Sequence, residues 1–236
     1  MIKIILSLWV MVLLVHAEDV YATFTVEAQK SANLAFTTSG TVAKVAVDTA
    51  SVVKEGDLLS ELKNDDIKAS LHIATTALKF AKKEYERQKK VEKLVDASRL
   101  DTYTFKYENA KAQVLYQQAL LDKTILRAPF DGIIFDKLVE VGDVVSGAMI
   151  RTVLKIQSIK ERKLVVSFDQ KYWTRVKVGQ AFHYTVDGDS KQYTGVISKI
   201  YPSANSSDRK MRAEVQTEGF LVGLFGEGTI EVPDVK

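Results

Sequence analysis

Few side chains in this 236-residue sequence have the types and spacing for covalent chemistry. The 3 histidines, His16, His72 and His183, lie far apart, and no two share a metal-binding spacing. Each therefore reads as a satisfied surface or core histidine. The chain has 0 cysteines, which removes thiol nucleophiles, disulfides, thiolate-bound zinc and a thiol-anchored lipid together. The adjacent carboxylates Asp65 and Asp66 fall at the start of a predicted helix. There they complement the helix dipole and do not read as an acid–base pair. Lys82-Lys83 and Lys89-Lys90 fit a solvated helix face better than a nucleic-acid patch, and no glycine-rich phosphate loop is present. With 33 basic and 30 acidic residues the formal net charge is +3, too small to point to a polyanionic partner. The expectation is a protein that is not an enzyme and that carries no cofactor and no metal.

The elements around these residues follow a definite order. Lys3 precedes an apolar run, Ile4 to Val15, of about a dozen residues, the length of a signal-peptide core and short of the roughly 20 that span a bilayer. Val15 and Ala17 stand at the −3 and −1 positions, so residues 1–17 read as a signal peptide cleaved after Ala17, with an uncleaved N-terminal anchor as the alternative, and the rest as an exported, periplasmic protein. Tyr21 to Val26 is strand-like. Gly40 to Leu62 has apolar residues at period two, a Lys54-Glu55-Gly56-Asp57 turn and an apolar close; Arg127 to Ile156 repeats that grammar, with Gly132 answering Gly40 and Gly142-Asp143 answering Gly56-Asp57.

Between these two β segments the period changes. Ile67, Leu71, Ala74, Leu78, Ala81, Tyr85, Gln88 and Val95 fall mostly at alternating steps of four and three. Leu100, Tyr103, Tyr107, Ala110, Val114, Gln117 and Leu121 do the same. No Pro or Gly occurs from Asp57 until Pro129. The pattern predicts two antiparallel helices of roughly 25 to 30 residues, about 40 Å long, reversing at Val95-Asp96-Ala97-Ser98. Ser98 is expected to cap the returning helix, with Asp101 in its first turn. After Lys163 the pattern is β again: Leu164 to Phe168, Ala181 to Val186, Tyr193 to Tyr201, Arg212 to Thr217 and Gly228 to Val232, with a helical turn or two between Asp169 and Val176. With Tyr21 to Val26 these strands suggest a small closed or nearly closed barrel.

Three phrases in this order resemble the periplasmic adaptor, or membrane fusion protein, family of tripartite efflux pumps. They are Val53 to Leu59 (VKEGDLL), Leu126 to Gly132 (LRAPFDG) and Leu221 to Ile230 (LVGLFGEGTI), the last with Leu224 where the family has Met. The resemblance covers nearly all of the chain beyond the signal. It implies an elongated α+β protein: a lipoyl/biotinyl-like β-domain split by an antiparallel coiled-coil hairpin, plus a small β-barrel. The divisions are 1–17 signal, 18–38 N-terminal strand joining the barrel, 39–64 first lipoyl-like half, 65–124 hairpin, 125–161 second half and 162–236 barrel. The implied partners are an inner-membrane transporter, a TolC-like outer-membrane channel and further copies of the chain in a trimeric or hexameric ring. A hairpin-tip docking site is implied at Arg87, Val91 and Ser98, with Val91 where the family has Leu. The resemblance also places Ala50-Ser51 where the family often has Gly-Asp. Many adaptors continue into a membrane-proximal domain where this chain stops at Lys236, so pump contact is expected through the barrel and the N-terminal strand. Only Met149 and Met211 lie beyond the signal, which argues against a copper or silver adaptor. A proton-driven pump of the resistance-nodulation-division (RND) class is favoured over ABC and major-facilitator exporters. A lipoyl or biotinyl carrier is disfavoured, because about 60 residues of predicted helix replace the hairpin that would present the modified lysine.

Overall fold

The computed structural model describes residues 17–91, 96–205 and 207–233. The predicted signal therefore lies outside the described residues, apart from Ala17. In chain order the strands are β1 (Ala17–Ala28), β2 (Ser31–Leu34), β3 (Gly40–Val45), β4 (Val52–Val53) and β5 (Leu58–Leu62). The helices α1 (Asp65–Lys90) and α2 (Ala97–Asp122) follow. Then come β6 (Ile125–Arg127), β7 (Gly132–Lys137), β8 (Val144–Val145), β9 (Leu154–Gln157), β10 (Glu161–Asp169), β11 (Ala181–Val186), β12 (Gln192–Ile200), β13 (Lys210–Glu218) and β14 (Phe225–Pro233). The chain divides into two units, one of residues up to Gln29 together with Lys160 onward, the other Lys30–Ile159.

The first unit is a closed barrel in the order β1-β10-β13-β12-β11-β14, with every pair antiparallel. Alternation of side chains decides which face is inside. Val20, Ala22, Phe24 and Val26 of β1, Leu164, Val166 and Phe168 of β10, and Phe182, Tyr184 and Val186 of β11 fill the interior. The rings of Phe24, Phe182 and Tyr184 lie within 5.9 Å of one another, two pairs edge-to-face and one stacked. Gly228 makes this packing possible: a Cβ there would stand 2.2 Å from the His183 carbonyl oxygen and 2.9 Å from the Phe182 ring. On the outer wall Glu214 is buried under Lys163 (3.2 Å), Lys199 (3.3 Å) and the Tyr201 hydroxyl (2.7 Å). Burial acts to raise its carboxyl, but the hydrogen bonds from Tyr201, Lys163 and Lys199 outweigh it and hold the group below its ordinary value. The helical turn after β10 is a single 3-10 turn, Gln170–Tyr172.

The second unit has two four-stranded sheets, β2-β9-β7-β4 and β6-β5-β3-β8, closed over Phe36, Val42, Leu59, Leu62, Ile134, Leu154 and Ile156. Its two turns are the same device. Gly56 and Gly142 both have positive φ, +86° and +98°. Asp57 and Asp143 each accept a hydrogen bond from the amide three residues back, at 2.8 and 2.9 Å. The amide of Gly56 donates to the Ala128 carbonyl and that of Gly142 to the Val42 carbonyl, both at 2.9 Å. The halves match as expected at Gly40 and Gly132, which open β3 and β7 and sit opposite Val145 of β8 and Val53 of β4. The Ala50 amide donates to the Ile134 carbonyl as the Gly142 amide does to the Val42 carbonyl, so within the fold Gly142-Asp143 answers Ala50-Ser51 and not, as expected, Gly56-Asp57.

Two boundaries also move. Residues 30–38 were expected to belong with the barrel's N-terminal strand, but β2 pairs with β9 in the second unit, Ser31 opposite Gln157. Glu161, expected in the second β half, opens β10 and pairs with Glu218 in the barrel.

Candidate functional site

The helical pair is set on the second unit by a buried polar knot. β5 and β6 are hydrogen-bonded neighbours, so the chain leaves and re-enters on one ladder. Asn64, 3% exposed, donates from its Nδ2 to Thr124 Oγ1 at 2.9 Å and to Glu61 Oε1 at 3.0 Å. Thr124 Oγ1 donates to the Leu121 carbonyl, and Lys68 Nζ to Glu61 Oε1 at 2.9 Å. Hydrogen bonds from Lys68 and then Asn64 hold the Glu61 carboxyl below its ordinary range. Sequence reasoning missed this knot. Asn64, a residue type favoured before a helix, was the available signal.

Beyond the knot, the predicted seam is where the side chains lose exposure. Ile67, Leu71, Ala74, Leu78, Ala81, Tyr85 and Gln88 on α1 are half-buried or buried. So are Leu100, Tyr103, Tyr107, Ala110, Val114, Gln117 and Leu121 on α2, amid exposed neighbours. Tyr85, near the end of α1, stacks on Tyr107, near the start of α2, with centroids 5.2 Å apart and planes 5° off parallel. With Asn64 bonded to Thr124 at the opposite end, the helices run antiparallel. Val95, the last seam residue expected for α1, falls outside the described residues.

At the end remote from the knot, α1 carries Arg87 in its last turn and stops with Val91 as its C-cap, whose amide donates to the Gln88 carbonyl at 3.1 Å. The Arg87 guanidinium is exposed and paired with Glu84 on its own helix. Val91 is 40% exposed. The cap of α2 is Asp96, not Ser98: its side chain accepts from the Ser98 amide at 3.2 Å. An Asp carboxylate one residue before the helix outcompetes a hydroxyl already inside it, since only the former reaches the free amides. Asp101 accordingly falls in the second turn. The structure places Arg87, Val91 and Ser98 at one end of the helical pair, Arg87 and Ser98 solvent-facing and Val91 partly so.

The remaining candidates fall elsewhere. Lys82 pairs with Glu86 at 3.9 Å, and Lys83 and Lys89 lie over the rings of Phe80 and Tyr85 at 5.9 and 5.7 Å. Asp65 and Asp66 occupy the first turn of α1. His72 is exposed on α1, and His183 on the barrel lies 2.9 Å from Thr194 Oγ1 and 2.8 Å from Glu231 Oε1. His16 lies outside the described residues. Among the described residues no group of three or more His, Asp or Glu side chains is placed to hold a metal ion, and no helix is long and apolar enough to cross a membrane.

No protein-family model matches the chain. An uncharacterized protein of Haemophilus influenzae is 24% identical over 216 residues, 88% of this chain and 56% of its own length. The cobalt-zinc-cadmium resistance protein CzcB of Cupriavidus metallidurans is 24% identical over 204 residues, 79% of this chain and 39% of its own length. The chain thus spans about half or less of the curated relatives it matches. Among solved structures, a MacA-MexA chimeric protein containing the Pseudomonas aeruginosa MexA alpha-hairpin domain superposes with a TM-score of 0.85 at 23% identity, over 94% of this chain and 84% of the other. The membrane fusion protein Spr0693 of Streptococcus pneumoniae R6 superposes at 0.72 and 17% identity, over 92% of this chain and 100% of the other. With a closed six-stranded barrel, a second β unit and an antiparallel helical pair leaving it from one ladder, the chain has the fold of the membrane fusion proteins.

Proposed function

We propose that this protein is the periplasmic adaptor of a tripartite efflux system, joining an inner-membrane transporter to an outer-membrane channel. The observation that carries the reading is the insertion of the helical pair between β5 and β6, which are bonded to each other. A rod that leaves and returns on one ladder acts as a spacer with a working tip, and it needs no active site. On this reading the second unit is a split lipoyl-like module and the helical pair a coiled-coil hairpin. Its tip, Arg87, Val91 and Ser98, meets a TolC-like channel. Arg87 exchanges its partner Glu84 for a carbonyl or carboxylate of the channel, Val91 adds an apolar contact, and the Ser98 hydroxyl, not needed for the Asp96 cap, donates or accepts at the turn. Copies pack head to tail into a closed ring. The transporter, of the proton-driven RND class, supplies the energy, and the adaptor performs no chemistry.

Deleting the gene should raise sensitivity to compounds the system exports. The panel includes drugs, bile salts and the salts of cobalt, zinc and cadmium, the metals after which one relative is named. Unchanged sensitivity throughout contradicts the adaptor reading. Arg87→Glu and Ser98→Trp should each abolish export with protein abundance and helical circular dichroism retained. Full export by both would remove the docking assignment.

A further inference from the structure

The segment between β10 and β11, residues 170–180, carries the only tryptophan beyond the predicted signal, since the chain has 2 and the other is Trp9. Trp173 is 65% exposed, and Val178, five residues on, is 60% exposed. Lys171, Arg175 and Lys177 accompany them, and no acidic residue occurs from 170 to 180. An exposed indole is not the result of a loose loop here, because the backbone beneath it is fixed. Val176 is 1% exposed in the barrel core. The Trp173 amide donates to the Gln170 carbonyl at 3.0 Å, and the Gly179 amide to the Ile197 carbonyl at 2.8 Å. Gln180 accepts from the Lys177 amide at 2.7 Å and donates to the Arg175 carbonyl at 3.0 Å. Asp169, the nearest carboxylate, is occupied with the Lys171 amide at 2.9 Å.

The strand directions place this segment on one rim of the barrel. β10 ends there and β11 begins there, and because β1 and β14 are antiparallel to these strands in turn, β1 starts and β14 ends on that rim. Among the described residues, the acidic groups on that rim are Glu18 and Asp19 at the start of β1, Glu231 on β14, Asp169 at the end of β10 and Asp208 between β12 and β13, with Glu231 engaged by His183 and Asp208 accepting from the Lys210 amide at 3.0 Å.

An indole and an aliphatic side chain held outward on a rigid turn, among three cations, is the composition that settles at a bilayer's headgroup level. The ring takes the interfacial zone, and each nearby Lys or Arg gains from anionic lipid. We propose that residues 171–178 form a membrane-surface contact selective for anionic lipid, seating this barrel rim on the inner membrane. A protein partner is the competing occupant. The cations, with no acidic residue among 170–180, favour anionic lipid.

The test uses the full chain carrying Trp9→Phe, so that emission comes from Trp173 alone. On vesicles of phosphatidylethanolamine and phosphatidylglycerol at three to one, Trp173 emission should shift to shorter wavelength and be quenched by lipids brominated near the headgroup. On pure phosphatidylcholine both effects should shrink. Lys171→Gln with Lys177→Gln should return the emission to its value in buffer on the same anionic vesicles, even where the chain still sediments with them. Solvent-like emission from the unaltered loop on anionic vesicles overturns the proposal, as does a shift equal on both lipids. Shielding that requires inner-membrane protein assigns the rim to a transporter instead. Vesicle binding and export are measured separately, so this inference and the adaptor reading fail independently.

Discussion

At Ala50 the backbone has φ +69°, a region where a Cβ is unfavourable and glycine is at ease. The conformation is imposed by its neighbours. The Ala50 amide donates to the Ile134 carbonyl at 2.7 Å and the Ile134 amide to the Ser51 carbonyl at 2.9 Å, locking the turn against β7. The strain of about 1 kcal/mol exceeds the entropy that a glycine would add to the unfolded chain. Ala50→Gly should therefore stabilise the protein by about 0.5 kcal/mol, a rise of about 1–2 °C in the melting midpoint. A lower midpoint would show that the turn tolerates the methyl group. The resemblance drawn from the sequence put Gly-Asp at Ala50-Ser51, so the departure was visible. Its cost was not, because a φ value depends on hydrogen bonds to Ile134, far along the chain.

At the level of elements, periodicity and pairing differ in what they reveal beforehand. The seam from Ile67 to Gln88 and its counterpart from Leu100 to Leu121 were legible because helix contacts repeat with a fixed step, and a half-buried stripe is what that step produces. The partner of β2 was not legible. Alternation in Ser31–Leu34 says that a strand forms, not that it pairs with Leu154–Gln157 on the other side of the helical pair. The candidate site divides the same way: spacing put Arg87, Val91 and Ser98 at one end, while the cap at Asp96 depended on a helix boundary that periodicity leaves loose. The Asn64 knot is polar, so no hydrophobic period marks it. Asn64→Leu and Thr124→Val should each destabilise the second unit, and their double-mutant cycle should give a coupling of about 1 kcal/mol. Strict additivity in denaturant titrations would mean that the Asn64–Thr124 bond does not join the two ends. The pH dependence follows from Glu61, whose carboxyl is lowered in the folded state. Its contribution is complete above the ordinary value of 4.5 and is lost as pH falls through the lower folded value. The knot should thus hold at neutral pH and loosen only in acid.

On the scale of the whole molecule, the chain is an insertion within an insertion. Ala28 sits opposite Arg162 in the barrel, and the Gln29 amide donates to the Glu161 carbonyl at 3.1 Å. One step on, Ser31 sits opposite Gln157, and the Ser158 amide donates to the Lys30 carbonyl at 2.9 Å. The second unit therefore begins and ends on neighbouring strands, as the helical pair does on β5 and β6. Among the described residues each unit keeps its own core, and neither draws a core residue from the other. Because closing a loop whose ends are already adjacent adds little entropic cost, residues 30–159 made alone should fold, with the helical circular dichroism of α1 and α2 and a cooperative melt. The barrel, with Gln29 joined to Lys160 through a short glycine-containing turn, should give a β spectrum and its own melt. If either piece is unfolded while the intact chain melts cooperatively, the nesting is topological only and the two cores depend on each other. If both fold, the adaptor reading gains a practical consequence: tip variants can be assayed on the 30–159 unit for channel binding and rim variants on the barrel for lipid binding, each free of the other's stability.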